Sequence, residues 1–194
     1  MSIVLASSSP YRQQLLQRLQ LSFIADSPDI DETPLPNESP IELVTRLARL
    51  KAEATAKRHP GKIIIASDQV GVDPYGTILT KPGTRDAAIE QLMRYPNNQI
   101  SFLTSLYTGT TEQHCLDVVS YDVGFRDLTR DQIEAYVDME QPFDCAGSFK
   151  AEGLGSALFS YQRGDDPTSL IGLPLIKLCE HLDSLGYDVL GRHN

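Results

Sequence analysis

Arg12, the pair Asp31-Glu32, Lys51, the run Ser67-Asp68-Gln69, Lys81 and Lys150 supply side chains from which phosphate chemistry could be built. Breaking a phosphoanhydride requires cations to neutralise phosphoryl oxygens, a carboxylate to activate water, and carboxylates or phosphates to hold a divalent cation. This set contains all three. Each member also has an ordinary role when taken alone. Arg12 on a first helical turn can be a solvated surface residue, Asp31 and Glu32 can be loop charges, and Lys51 can lie on the exposed face of a long helix. Asp68 is more constrained, because it follows Ile63-Ile64-Ile65-Ala66-Ser67 and has to lie at the edge of a buried strand.

The elements that would position these groups follow from periodicity. Ile3-Val4-Leu5-Ala6 predicts a strand, Ser7-Ser8-Ser9-Pro10 a polar turn, and the leucines at 15, 16 and 19 a helix. Ser9 suits the helix N-cap, Pro10 suits its first turn, and the amide groups there would suit an anion. A second strand is expected at 21–25, followed by an acidic, proline-rich loop at 26–38. A loop of that length without secondary structure is unusual unless functional. Ser39-Pro40-Ile41-Glu42 is a capping box that opens a helix to about residue 59, with Leu43, Leu47, Leu50 and Ala54 on its buried face. Residues 61–70 predict a central strand whose carboxyl end meets a cleft. Then come a turn at Asp73-Pro74-Tyr75-Gly76, the loop Lys81-Pro82-Gly83, and a helix at about 85–94. Two strands at 100–109 and 114–125, a helix at about 130–137, and a last helix from Pro174 to about residue 185 complete the pattern. Between them, the segment 143–155 holds Gly147, Gly153 and Gly155, which marks close backbone approach. Strands and helices alternate irregularly, so the expectation is an α/β fold on a mixed sheet. The chain shows no internal repeat.

The 194 residues are enough to bury a sizeable core in a single domain over 1–194, and 41% apolar with 22% charged residues is an ordinary globular composition. A net charge of -9 opposes general nucleic-acid binding, which depends on lysines and arginines displacing counterions. An anionic ligand therefore needs a local basic cluster. No apolar run reaches bilayer length, and the first residues lack the basic and apolar regions of a secretion signal, so a cytoplasmic protein without membrane contact is expected. Cys115, Cys145 and Cys179 are odd in number and lack C-x-x-C spacing, which predicts core thiols instead of a disulfide framework or zinc site. A Rossmann cofactor is disfavoured because no G-x-G-x-x-G follows a strand.

Leu5-Ala6-Ser7-Ser8-Ser9-Pro10-Tyr11-Arg12 resembles the amino-terminal L-A-S-x-S-P-x-R signature of the Maf-like nucleotide pyrophosphatases. Further matches follow in the family's order: Asp31-Glu32, Arg46-Leu47-Ala48-Arg49-Leu50-Lys51-Ala52, Ala66-Ser67-Asp68-Gln69-Val70, Thr80-Lys81-Pro82, Cys145 through Gly153, and Gly172-Leu173-Pro174. The resemblance implies a two-lobed α/β fold related to inosine-triphosphate pyrophosphatases, with the active site in the cleft between lobes. It also implies cleavage of a nucleoside triphosphate between the α- and β-phosphates with a divalent cation, magnesium or manganese. Asp68 would then be the proton acceptor that activates water, Glu32 would assist through the metal, and both would be metal ligands. Ser7, Arg12, Lys51 and Lys81 would hold phosphate, with Gln69, Lys150 and Glu152 also on the substrate. A homodimer is the implied assembly. The form Ala146-Gly147-Ser148-Phe149-Lys150-Ala151-Glu152-Gly153 looks like the branch acting on 7-methyl-GTP, in which Tyr11 stands where Trp is common and would stack on the base. Two other readings stay open: a pyrophosphatase for dTTP, UTP or several nucleotides, and a non-catalytic nucleotide-binding regulator of septum formation.

Overall fold

In the computed structural model, which describes residues 2–191, three short or apolar runs build the amino-terminal half of the sheet: β1 (Ile3–Leu5), β2 (Phe23–Ala25) and β3 (Ile63–Val72). β1 pairs in parallel with both neighbours, Ile3 lying opposite Phe23 on one side and Ile63 on the other. A strand buried on both sides needs apolar residues at every position, and Ile3, Val4 and Leu5 meet that need. The full strand order is β2-β1-β3-β4-β5-β6, with β4 (Gln99–Gly109), β5 (His114–Phe125) and β6 (Phe159–Arg163). β5 and β6 are antiparallel, so the sheet is mixed, as the irregular alternation predicts. Gly109 turns the chain between β4 and β5. Its φ is +138°, and a Cβ there would stand 2.3 Å from the Gln113 carbonyl oxygen, which leaves no room for another residue.

The described residues form two compact units. The first holds the chain up to Gln69, Thr104–Val119, and the chain from Asp166 onward; the second holds Val70–Leu103 and Ser120–Asp165. In the first unit α1 (Pro10–Gln17) begins at an N-cap, Ser9, with Pro10 in the first turn, and α2 (Pro40–Arg58) begins at the capping box of Ser39 and Glu42. One core packs Ile3, Leu5, Leu15, Leu16, Ile65, Leu106 and the leucines of the last helix; a second packs Val4, Ala6, Ala48, Ala52, Ile64 and Tyr107. The buried face of α2 is turned from the one expected. Leu43, Val44, Leu47, Ala48, Lys51, Ala52 and Thr55 are buried, while Leu50 and Ala54 are half-buried. The small Ala48 and Ala52 let the helix sit close to β1 and β3, and that seating carries Lys51 inward, where an exposed-face reading would not put it.

In the second unit α3 (Arg85–Leu92) and α4 (Arg130–Glu140) flank an aromatic core in which Tyr95, Phe102, Phe125, Phe149 and Phe159 meet at centroid distances of 5.0–5.6 Å, mostly edge to face. β6 was not expected from the sequence. Its burial pattern is mostly exposed, so it lacks the alternation that marks a strand, and pairing with β5 forms it. The last helix, α5 (Leu175–Ser184), returns to the first unit. The three cysteines are free thiols but half-buried instead of core, with Cys115 Sγ 3.2 Å from Ser184 Oγ at the end of α5. No helix among the described residues is long and apolar enough to cross a membrane.

Candidate active site

Asp68 lies in the middle of β3 and not at its carboxyl end as expected, because the strand continues past Ser67, Asp68 and Gln69 to the buried Gly71 and Val72. Its backbone is fixed by a 3.2 Å hydrogen bond from its own N–H to Ser105 Oγ. Its carboxylate accepts from Lys51 Nζ at 2.6 Å, and the same ammonium lies 2.8 Å from Glu32 Oε1. Lys51 and Asp68 are both buried side chains, while Glu32 is 58% exposed on the loop between β2 and α2. Burial pushes the Asp68 carboxyl above the ordinary carboxylate range, opposed chiefly by the Lys51 charge and hydrogen bond and then by Arg12.

Arg12 sits at the start of α1 with Nε donating to the Gly172 carbonyl at 2.9 Å, and Ser67 Oγ donates to the same oxygen at 2.9 Å. Gly172 adopts φ +112°, a conformation that favours glycine. Burial lowers the Arg12 pKa from its ordinary value, with Asp68 and Glu32 pushing the other way. The buried Ser7 accepts from Ser9 N–H at 3.1 Å and so shapes the turn that opens α1.

A cavity of about 290 Å³ is lined by Ser7, Ser9, Arg12, Glu32, Lys51 and Asp68, with the turn residues around them. The structure thus brings together Asp68, Glu32 and three of the four residues expected to hold phosphate. Gln69 is adjacent in sequence but its amide nitrogen donates to Ser169 O at 2.6 Å, Thr104 Oγ1 at 2.9 Å and Leu170 O at 3.2 Å, which leaves only its carbonyl oxygen for other work. Tyr11 is exposed on α1 and is not among the residues lining the cavity. Asp31 is also outside the lining. Its carboxylate accepts from Thr33 N–H at 2.9 Å, which makes it a turn-former in the loop.

Lys81, Lys150 and Glu152 belong to the second unit. Lys81 is exposed on a loop whose neighbour Gly83 donates to the Phe143 carbonyl at 2.9 Å. Lys150 Nζ donates to the Glu140 carbonyl at 3.2 Å, and Glu152 is exposed on the turn that follows. Among the described residues no cluster of three or more His, Cys, Asp or Glu has the arrangement of a protein-only metal site. Sequence reasoning assigned no role to Gly172, although it quoted the Gly172-Leu173-Pro174 match. The signal there was a glycine held among motif residues, with nothing to show that Arg12 and Ser67 both lean on its carbonyl.

A mixed α/β fold that presents a buried lysine between two carboxylates, beside an arginine and the amino end of a helix, defines a protein equipped for anionic, phosphorylated ligands. The chain belongs to the Maf-like protein family, whose pattern it matches over residues 2–185. A Pseudomonas putida protein named 7-methyl-GTP pyrophosphatase is 54% identical over 187 residues, which are 95% of this chain and 96% of that one. Proteins of the same name from Pseudomonas syringae pv. tomato and Aliivibrio fischeri are 52% and 51% identical, each over 97% of this chain and 98% of their own. The solved structure of the Staphylococcus aureus Ham1 protein superposes with a TM-score of 0.48 at 17% identity, covering 80% of this chain and 90% of that one.

Proposed function

We propose that this protein is a cytoplasmic nucleoside triphosphate pyrophosphatase that hydrolyses 7-methyl-GTP to 7-methyl-GMP and pyrophosphate, removing a modified nucleotide from the pool. The observation that carries the reading is the Lys51 bridge between Asp68 and Glu32 in the cavity that Arg12 and Ser7 also line. Asp68 is the one buried acid of that cavity. A raised pKa makes it a better proton acceptor when ionised, and Lys51 keeps it ionised, so the pair is suited to taking a proton from attacking water. Arg12, with its Nε fixed on Gly172, has its remaining guanidinium N–H groups for phosphate. The family resemblance also assigns Lys81 and Lys150 to the substrate.

The charges of the cavity itself support a divalent cation. Glu32 and Asp68 offset Arg12 and Lys51, so the four side chains bring no net positive charge to a triphosphate. Magnesium characteristically binds through one or two carboxylates together with substrate phosphates, and the two acids fit that donor set. Lys51 engages one oxygen of each acid, and Asp68 and Glu32 are the residues that would hold the ion. When bound, magnesium or manganese supplies the charge that offsets the phosphates. The protein's own contribution is to orient those oxygens and to keep Asp68 ready for the proton.

A panel of nucleoside triphosphates with pyrophosphate detection, run with magnesium, with manganese and with excess chelator, tests the reading. The expected result is metal-dependent release of pyrophosphate with 7-methyl-GTP preferred. Preference for dTTP or UTP would move the protein to another specificity. No pyrophosphate from any nucleotide, with binding retained, would favour a non-catalytic regulator.

A further inference from the structure

Glu32 presents a positional problem that its ion pair does not solve. It lies on a loop without helix or strand, it is 58% exposed, and a single ion pair to Lys51, which Asp68 shares, restrains it weakly. We infer that Arg46 is a positioning residue for Glu32, clamping the loop through a bidentate pair with Glu38 and a hydrogen bond to the Thr33 carbonyl. The inference rests on the pyrophosphatase reading for the use that Glu32 serves.

The geometry is specific. Arg46 Nε lies 2.5 Å from Glu38 Oε1 and Nη2 lies 2.8 Å from Oε2, the fork-on-carboxylate arrangement that a lysine cannot make. Nη2 also donates to Thr33 O at 3.0 Å, while Thr33 N–H is held by Asp31 Oδ1 at 2.9 Å. Both backbone groups of Thr33 are therefore tied, and one of them belongs to the peptide that joins it to Glu32. Glu38 extends the web by accepting from Leu35 N–H at 2.9 Å. Its side chain is only 6% exposed, so this pair is less screened than an ordinary surface bridge. Arg46 holds the Glu38 carboxyl down to about 2, and the clamp stays charged across any working pH. At its other end the loop is fixed by Asp26, which accepts from Arg58 Nε at 2.8 Å and lies 2.8 Å from His59 Nε2, but that anchor stands well before Glu32. Arg46, Lys51 and Arg58 all come from α2, so one rigid helix carries the cation that meets the catalytic acids and the two that set the loop.

The test uses Arg46→Lys, which keeps the charge and loses the fork, alone and combined with Glu32→Gln. Hydrogen exchange of the amides in 31–38 should accelerate in Arg46→Lys while α2 and Tm stay close to wild type. Turnover should fall by about tenfold to a hundredfold with KM changed by less than about threefold, since misplacing a positioned group chiefly costs rate. In the Glu32→Gln background the same substitution should cost no further turnover, because the two act through one group. Unchanged exchange in 31–38, or losses that multiply in the double variant, would overturn the inference. Wild-type turnover by Glu32→Gln would also overturn it by removing the use of Glu32, and exchange would then show separately whether the clamp orders the loop.

Discussion

The cavity at Asp68 and the glycine-bearing segment 143–155 both carry residues assigned to the substrate, but they are made differently. Asp68 and Lys51 sit on a central strand and a long capped helix, are buried, and are paired at 2.6 Å. Lys150 and Glu152 sit on short turns in the second unit, where Gly147 has φ +80° and a Cβ on Gly155 would meet the Lys150 carbonyl at 2.2 Å. The first region fixes Asp68, the proposed proton acceptor, by core packing, and changing it disturbs the fold. The second presents side chains from a backbone shaped by glycines, and its exposed residues can change with little disturbance. On the proposed function the proton acceptor belongs to the first kind of region and Glu152, proposed to read the base, to the second.

The comparison is broken most directly at Asp68. Asp68→Asn should lower turnover by about 10²–10⁴-fold while nucleotide binding survives, because an amide keeps the shape but cannot accept the proton. Turnover within a few-fold of wild type would take the base away from the first region. Lys51→Met is the next largest change. Removing one partner of a buried pair leaves the other uncompensated, at about 3–5 kcal/mol. It also removes the main group opposing the upward push on Asp68, so the acidic limb of the pH–rate profile should move to higher pH. Stability follows the same sign. A carboxyl whose folded pKa lies above its unfolded one binds more protons in the folded state between those values, so stability is lost as pH rises through that window. The deficit of Lys51→Met should therefore be larger at neutral pH than in acid, as denaturant titrations at several pH values would show.

Arg12→Ala and Lys81→Ala sharpen the contrast at intermediate size. Each should lower kcat/KM by about tenfold or more through lost contacts to phosphate. Lys81 is exposed, so its removal should leave Tm nearly unchanged, whereas Arg12→Ala also empties a bond to Gly172 that Ser67 shares. A Lys81 variant that unfolds yet keeps activity per folded molecule would make its role structural.

Much of this division was legible in the residues. The capping box at Ser39 and the N-cap at Ser9 each combine a local signal with an apolar run, and both stand where expected, whereas the polar residues after Ile63–Ala66 do not end β3, which runs on to Val72. The inward turn of Lys51 was not legible, because the periodicity of α2 fits Leu50 and Ala54 almost as well as Ala48 and Ala52, and only packing on the sheet decides between them. β6 depends on β5 for its formation and shows no alternation of its own. Gly172 offers its carbonyl to Arg12 and Ser67, and Arg46 reaches the Thr33 carbonyl and the Glu38 carboxylate, contacts that no spacing in the sequence reveals.

The smallest expected effects concern the base. Methylation at N7 leaves positive charge on guanine, so an aromatic face attracts it by about 0.5–2 kcal/mol depending on desolvation. Tyr11 is 46% exposed beside Arg12, available to a ligand instead of buried as an anchor of α1. Tyr11→Ala should therefore reduce 7-methyl-GTP hydrolysis more than GTP hydrolysis. Guanine also presents its N1–H and exocyclic amine side by side, and a carboxylate can accept from both where an amide must turn one donor toward them. Glu152→Gln should then depress 7-methyl-GTP hydrolysis and raise relative activity on dTTP or UTP, with Tm unchanged because Glu152 is exposed. An unchanged substrate ranking in the Gln variant would remove base choice from the second region and leave the pyrophosphatase proposal standing on the Asp68 cavity alone.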